Sequence, residues 1–362
     1  MTTPSGNTTN TLAAYTVTLP WPAGKVPLVC AVSNAFSKSD NLPPDGLCDL
    51  LFFDSLYRDG RNLVGGPYED GFEWFLKLGR QMRATGVGVS FDMQMKRYHN
   101  SSSPIFTPSI DHLWNDGVSH FGVLRVYEDD EESDPEDTII EWLQLLQSIQ
   151  KHLANPRQDA CRHSHTVIGV RPPRDDFYEK VASFLRDTFK PSLLIVNVHV
   201  PYEDKNLSNC IILPPSIIAK PDGGFVAYET SMEDALAYIL RIHETVDAKL
   251  DTAVSVTLRA RYYMPRDISG ANVSTYQPFQ ECQNYEGVSD ISPAAVCTLK
   301  NAQQKTNFGI AAFDIDYDVA TMPCAELYLK DGAFTRLKTL GGLRNYISKG
   351  FLNKHECLAA SV

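Results

Sequence analysis

Carboxylates, arginines and a histidine stand at the downstream ends of short apolar runs along this chain: Asp54, Asp92, Glu128, Arg171, His199, Arg259 or Arg261, and the alternating Asp314, Asp316 and Asp318. If the fold brings them together, one carboxylic acid could hand a proton to a leaving oxygen while a second carboxylate steadies charge or activates water. The plainer reading is that inward charges pair with one another. A further acidic feature is the tract EDDEESDPED, Glu128–Asp137, with eight acids in ten residues. It could hold a cation or face a basic partner. It lacks the glycine and the alternating ligands of an EF-hand loop, however, and its later acids suit the start of a helix near Thr138. No Cys or His spacing fits a zinc site, so neither a metal nor a cofactor is expected.

The elements that must position these groups alternate along the sequence. Strands are expected at Val26–Ser33, Leu47–Asp54, Gly86–Met93, Phe121–Glu128, Thr166–Arg171, Ser192–Val200, Ala253–Arg259 and Phe308–Asp316. Each is rich in Val, Ile, Leu and Phe, as strands buried on both faces are. Apolar stripes at helical spacing fall at Phe72–Arg83, Thr138–Leu153, Asp176–Phe189, Met232–Ile242 and Ala333–Ile347. Ser231 and Asp234 are spaced for a capping box at the fourth of these. Strands and helices in this order predict an α/β fold, a (β/α)8 TIM barrel, with its chemistry at the C-terminal ends of the strands. The crossover Asn34–Gly46 has room for one or two helical turns. Insertions are expected after strand six (Glu203–Thr230) and strand seven (Tyr262–Gln304). The expected organisation is a polar arm over 1–25, one barrel over 26–350 and a tail over 351–362.

Composition narrows the function classes. The 362 residues carry 33 Lys+Arg against 44 Asp+Glu, a net charge of -11. A nucleic-acid partner is not expected, because neutralising phosphates takes clustered cations. No apolar run approaches the length of a membrane span, so no membrane partner is expected either. Eight cysteines and the four Asn-x-Ser/Thr sequons at Asn7, Asn100, Asn206 and Asn272 point to a secreted, disulfide-bonded glycoprotein. Met1–Ala14 has no apolar stretch of signal-peptide type, which leaves either a secreted chain whose signal peptide has been removed or a cytosolic chain with free thiols; cysteines and sequons together favour the first.

Two segments carry a family resemblance. LVCAVSNAF (Leu28–Phe36) followed by LCDLLFFDSL (Leu47–Leu56) resembles the opening of family 18 glycoside hydrolases, the chitinases, and FGIAAFDIDYDV (Phe308–Val319) is similar to that family's closing strand. The resemblance spans about residues 26 to 347, and secreted chitinase-like proteins of arthropods, ticks in particular, look nearest. It implies a Cys30–Cys48 disulfide. Cys282–Cys297, Cys161–Cys210 and Cys324–Cys357 are the remaining pairs expected, from sequence order.

The resemblance also implies where the chemistry would be, and there the sequence departs. Strand four of the active family reads DGxDxDxE; here it is FGVLRVYE, Phe121–Glu128. Glu128 stands at the general-acid position, while the three aspartates become Phe121, Leu124 and Val126. The family's reaction is substrate-assisted, the acid protonating the leaving oxygen as the substrate's N-acetyl carbonyl attacks. The aspartate two residues before the acid orients that acetamido group and tunes the acid through a close like charge. Val126 can do neither. The family's strand-three Ser-x-Gly-Gly becomes Ser90-Phe91-Asp92-Met93, its strand-six tyrosine aligns with Pro201 beside Tyr202, and its strand-eight tryptophan aligns with Phe313. The expectation is thus a catalytically inactive, secreted binding protein, monomeric, acting on a host protein or a glycan. Asp92, Arg171, His199, Tyr202, Arg259, Phe313 and Asp314 are its candidate ligand-binding residues and Glu128 a vestigial acid. The alternative is an active glycosidase with altered mechanism, using Glu128 as acid and Asp92 or Asp314 as second carboxylate.

Overall fold

Eight of the apolar runs form parallel strands that close on themselves. They are β1 (Leu28–Ser33), β2 (Leu50–Asp54), β3 (Gly86–Ser90), β4 (His120–Val126), β5 (Thr166–Val170), β6 (Leu193–Val196), β7 (Thr252–Thr257) and β8 (Gly309–Phe313). The computed structural model describes residues 26–58, 61–62, 64–92, 106–126, 134–154, 163–173, 177–199, 230–259, 262–264, 275–277, 297, 308–318, 333–350 and 353–360. Each strand pairs with its sequence neighbour, and β1 also pairs with β8, Leu28 facing Ile310 and Cys30 facing Ala312. The expected (β/α)8 TIM barrel is therefore present.

The strands show no polar–apolar alternation because both of their faces are buried. One face fills the barrel with Ala31, Phe52, Leu124, Val167, Ile195 and Ala311. Phe52 reaches across the centre, and glycine at 88 makes room for it, since a Cβ there would stand 2.6 Å from its ring. The other face packs on helices α1 (Asp70–Gly79), α2 (Phe106–Asn115), α3 (Pro135–Leu153), α4 (Glu179–Asp187), α5 (Met232–Thr245) and α6 (Thr335–Ser348). On α3, Trp142, Leu146 and Ile149 lie on one stripe and are almost wholly buried. Each such side chain is worth roughly 2 kcal/mol of burial.

The helix starts follow local chemistry. Ser231 caps α5, its hydroxyl accepting from the Asp234 N–H while the Asp234 carboxylate accepts from the Ser231 N–H, which is the expected capping box. Asp134 caps α3 by accepting from the Glu136 N–H at 2.9 Å. Glu136 in turn accepts from the Val181 N–H of α4 at 3.0 Å. The later acids of the Glu128–Asp137 tract thus serve helix ends, and α3 begins at Pro135, three residues before the expected start.

Several expectations need correction. The Asn34–Gly46 crossover holds turns and no helix. Its Asp45 carboxylate instead collects the N–H groups of Arg83, Ala84 and Thr85. Helix α2 was not anticipated, because Pro108 sits in its first turn and its apolar stripe is short. A short C-terminal helix, α7 (Lys354–Ala360), was likewise unanticipated. Two small antiparallel ribbons decorate the barrel, Tyr57–Arg58 with Arg61–Asn62 and, in the insertion after strand seven, Tyr262–Met264 with Thr275–Gln277.

Cys30 is bonded to Cys48, tying β1 to the residues before β2, as the resemblance implies. Cys297 is bonded to Cys357, not to Cys282, and so Cys357 is not bonded to Cys324. Helix α7 packs on α6 and brings Cys357 to within 5.7 Å, Cα to Cα, of Cys297, and both are buried. Cys161, Cys210, Cys282 and Cys324 lie outside the described residues, as do Asn7, Asn100, Asn206 and Asn272. Among the described residues, no helix is long and apolar enough to cross a membrane.

Candidate functional site at the barrel mouth

The mouth is shaped by an irregularity in β4. Against β5, Phe121 pairs with Thr166 and Val123 with Ile168, but Val126 pairs with Val170, so β4 carries one extra residue between Val123 and Val126. Such a bulge re-aims the side chains beyond it. Glycine at 169 permits the close approach, because a Cβ there would stand 2.0 Å from the Leu124 carbonyl oxygen. Leu124 stays in the barrel interior, Val126 packs with the outer core under the helices, and Arg125 reaches the mouth. The resemblance implies that residue 126 faces the barrel mouth. The bulge puts Arg125 there instead.

Arg125 stands between two carboxylates carried by strands that are not its neighbours in the barrel. Its Nε lies 2.7 Å from Asp54 Oδ2 at the end of β2, as an ion pair without the alignment of a hydrogen bond. Its Nη2 lies 3.3 Å from Asp314 Oδ1 just beyond β8. The guanidinium carbon is 5.2 Å from the centre of the Phe313 ring. Asp314 adopts the left-handed region, φ 56°, which Asp tolerates better than most residues. Its side chain is 1 % exposed, and its second oxygen accepts from the Thr257 hydroxyl at 2.6 Å. Burial pushes the Asp314 carboxyl up to about 7; Arg125 opposes the rise, and Asp316 and Asp54 add to it.

The other strand-eight carboxylates are structural. Asp316 accepts from the Ser33 N–H at 2.8 Å and the Ser33 hydroxyl at 2.6 Å, joining the ends of β1 and β8. Asp318 accepts from Arg336 at 3.0 Å and from the Leu337 N–H at 2.8 Å, holding the start of α6. Burial raises the pKa of both.

His199, after β6, is fully enclosed. Its Nδ1 is 2.7 Å from Ser255 Oγ, and its ring lies 4.4 Å from the Phe313 ring, centre to centre. Ser255 Oγ also accepts from the Val198 N–H at 2.8 Å. The Ser255 proton is then free to go to Nδ1, which leaves Nε2 as the protonated nitrogen. Burial, reinforced by the Arg125 charge, holds the pKa of His199 well below its ordinary value, so the ring is neutral. Asn197 donates to the Leu124 carbonyl at 2.9 Å. Asn197 Oδ1 and His199 Nε2 are buried and have no hydrogen-bond partner among the described residues.

The remaining candidates are more dispersed. Asp92, after β3, accepts from Ser55 Oγ at 3.4 Å. Arg171, after β5, donates to Thr230 Oγ1 at 3.3 Å. Arg259, after β7, lies over the Tyr317 ring at 4.6 Å. Phe313 is 1 % exposed, its ring beside His199 and Arg125, so it offers no open platform to a sugar. Glu128, Tyr202, Arg261 and Met93 lie outside the described residues. The structure thus gathers Asp54, His199, Phe313 and Asp314 around Arg125, which sequence reading had left out. Its signal was there, as a lone charge inside the apolar run FGVLRV. Among the described residues no group of three or more His, Cys, Asp or Glu is placed to hold a metal ion.

No protein-family profile matches the sequence, and no curated protein matches it. Solved structures do match in fold. The second catalytic domain of an Ostrinia furnacalis group II chitinase shares 12% identity with a TM-score of 0.59, over 90% of this chain and 96% of that one. A family 18 N-acetylglucosaminidase from Paenibacillus barengoltzii shares 10% with a TM-score of 0.53, over 79% and 94%. A Bacillus thuringiensis chitinase shares 10% with a TM-score of 0.56, over 91% and 70%. The barrel is thus similar to those of family 18 glycoside hydrolases, a likeness of fold.

Proposed function

We propose that this chain is a chitinase-like barrel that binds rather than cleaves: a secreted, catalytically inactive factor whose target is a glycan or a host protein. The observation that carries the reading is Arg125 held between Asp54 and Asp314 at the mouth. Substrate-assisted glycoside hydrolysis draws on a carboxylate pair in which one like charge raises the other's pKa. A guanidinium at the end of β4 works the other way, favouring ionised carboxylates over proton donors. Leu124 fills the barrel centre and Val126 faces the helices, so neither supplies a group that could orient an acetamido carbonyl. The disulfides Cys30–Cys48 and Cys297–Cys357 suit an oxidising, extracellular setting, and a monomer is our reading of the assembly.

A second reading keeps catalysis, with Glu128 as acid and a second carboxylate from the mouth. Asp314 favours it, since a carboxyl near neutrality can exchange a proton at working pH. Against it, both Asp314 oxygens are already engaged, by Arg125 and Thr257. Hydrolysis of a fluorogenic chitotriose by the protein and by its Glu128→Gln variant decides between them. The binding reading expects no turnover from either; turnover that disappears in the variant would overturn it.

A further inference from the structure

Arg125 is an unusual centrepiece for a barrel mouth, because among the described residues its ion pairs there are to two carboxylates and its ring contact is to a phenyl that also supports a histidine. Asp314 Oδ1 takes its Nη2 at 3.3 Å, and Asp54 Oδ2 stands 2.7 Å from its Nε. The Phe313 ring carries Arg125 at 5.2 Å and His199 at 4.4 Å, so guanidinium and imidazole share one aromatic support. Arg125 is also the most accessible of these groups, with 17 % of its side chain exposed against 1 % for Asp314. It has somewhere to go, and the acid beneath it does not.

We propose that Arg125 is a proton-controlled latch on the barrel mouth, held down by Asp314 and loosened when Asp314 and His199 take up protons. The physical basis is reciprocity. Arg125 lowers the proton affinity of Asp314 and of His199, so protons on either must weaken the hold on Arg125 by the same amount. Protonating Asp314 removes one of the charges that anchor the guanidinium. Protonating His199 adds a like charge against the same ring. Asp314 itself stays in place, because the Thr257 hydroxyl and the barrel wall enclose it. Burial raises its carboxyl to about 7, which sets the first of the two steps near neutrality.

The groups facing the latch from each packed element are few among the described residues. Asp54 comes from β2; Asp314 and, behind it, Asp316 come from β8; His199 comes from β6. Thr257 of β7 is polar but does not titrate, and β5 presents Gly169 and Val167. Asp92, Arg171 and Arg259 are engaged at the rim with Ser55, Thr230 and Tyr317. On the reading of the mouth as a binding site, release of Arg125 would uncover the Phe313 ring and the His199 Nε2 beside it. This consequence rests on that reading, but the release itself is measured without any ligand and can fail while the binding reading stands.

The test is an NMR titration of the whole chain, following the Arg125 Nε–H and the Asp314 side-chain carboxyl carbon from about pH 8 to about pH 5. The latch expects both signals to move with one midpoint. Protection of the Arg125 proton from solvent exchange, corrected for the intrinsic pH effect, should fall about tenfold, the change that one unit of pKa coupling carries. In Asp314→Asn, the Arg125 signal should sit at its low-pH position throughout; in His199→Gln, the Asp314-linked step should persist. An Arg125 signal that stays fixed while Asp314 titrates overturns the proposal, and so does an Asp314 carboxyl that does not titrate in this range. Both results come from the unsubstituted protein, so misfolding of a variant would not obscure them.

Discussion

The foot of the barrel and its mouth both bury charge, but they balance it differently. At the foot, Asp49 accepts from the Leu28 N–H at 2.9 Å and lies 3.2 Å from Arg344 of α6. One carboxylate meets one guanidinium there, and the pair ties a helix to the first two strands. At the mouth one guanidinium serves two carboxylates, one of them near its neutral form, with Asn197 Oδ1 and His199 Nε2 lacking partners among the described residues. A matched foot and an under-matched mouth fit the division of labour in such barrels, where stability resides at the N-terminal ends of the strands and ligand chemistry at the C-terminal ends. The same substitution should therefore have different consequences at the two ends.

The largest effect is expected at the foot. Asp49→Asn removes a buried carboxylate and leaves the largely buried Arg344 without its counter-charge. Breaking such a pair from one side costs about 3–5 kcal/mol. Urea denaturation at neutral pH should show that loss with the slope unchanged. A loss under about 1 kcal/mol would mean that the foot pair is no more structural than a surface one.

A second effect at the foot depends on pH. His165 precedes β5, its N–H donating to His120 Nδ1 at 3.0 Å, with the two rings 5.1 Å apart. Burial, reinforced by the His163 charge, lowers its pKa to about 4. The unfolded chain therefore binds a proton that the folded chain refuses between about pH 6.5 and pH 4, and stability falls as pH drops through that window. A shift of this size corresponds to up to about 3 kcal/mol, complete only below pH 4. His165→Gln should flatten that part of the stability–pH curve; an unchanged slope would assign the acid sensitivity elsewhere.

These two ends were unequally legible in the sequence. The eight strands could be read because their Val, Ile, Leu and Phe runs are buried on both faces, and the α5 start because Ser231 and Asp234 cap it by local hydrogen bonds. The β4 bulge could not be read in the same way. In a strand buried on both faces nothing alternates, so nothing in FGVLRV marks where the inward parity changes; only the lone Arg125 hinted at it. The charged ends of β8 were visible as Asp314, Asp316 and Asp318, but whether each faces ligand or backbone depends on Ser33 and Leu337, hundreds of residues and nineteen residues away respectively. The Cys297–Cys357 bond was missed for a similar reason, since docking of α7 on α6, not order along the chain, chooses the partner.

The smallest effect, and the one that separates the two ends most directly, is Asp314→Asn at the mouth. Asp314 has a folded pKa of about 7, raised from an ordinary carboxyl value of 3.8. A raised acid contributes stability that is fully present below its unfolded pKa and is lost as pH rises through its folded one. At pH 8 the wild type thus holds a desolvated charge that asparagine does not, and asparagine can still accept from Thr257. The variant should lie within about 1 kcal/mol of wild type there, against several for Asp49→Asn. At pH 5 the wild type has regained the stability of its neutral acid while asparagine at 314 contributes no such change, so the variant should rank lower against wild type at pH 5 than at pH 8. Chemical denaturation of both proteins at the two pH values measures the difference. If Asp314→Asn instead costs as much as Asp49→Asn and does so equally at both pH values, Asp314 is an ordinary ionised partner of Arg125, and the mouth is balanced in the same way as the foot.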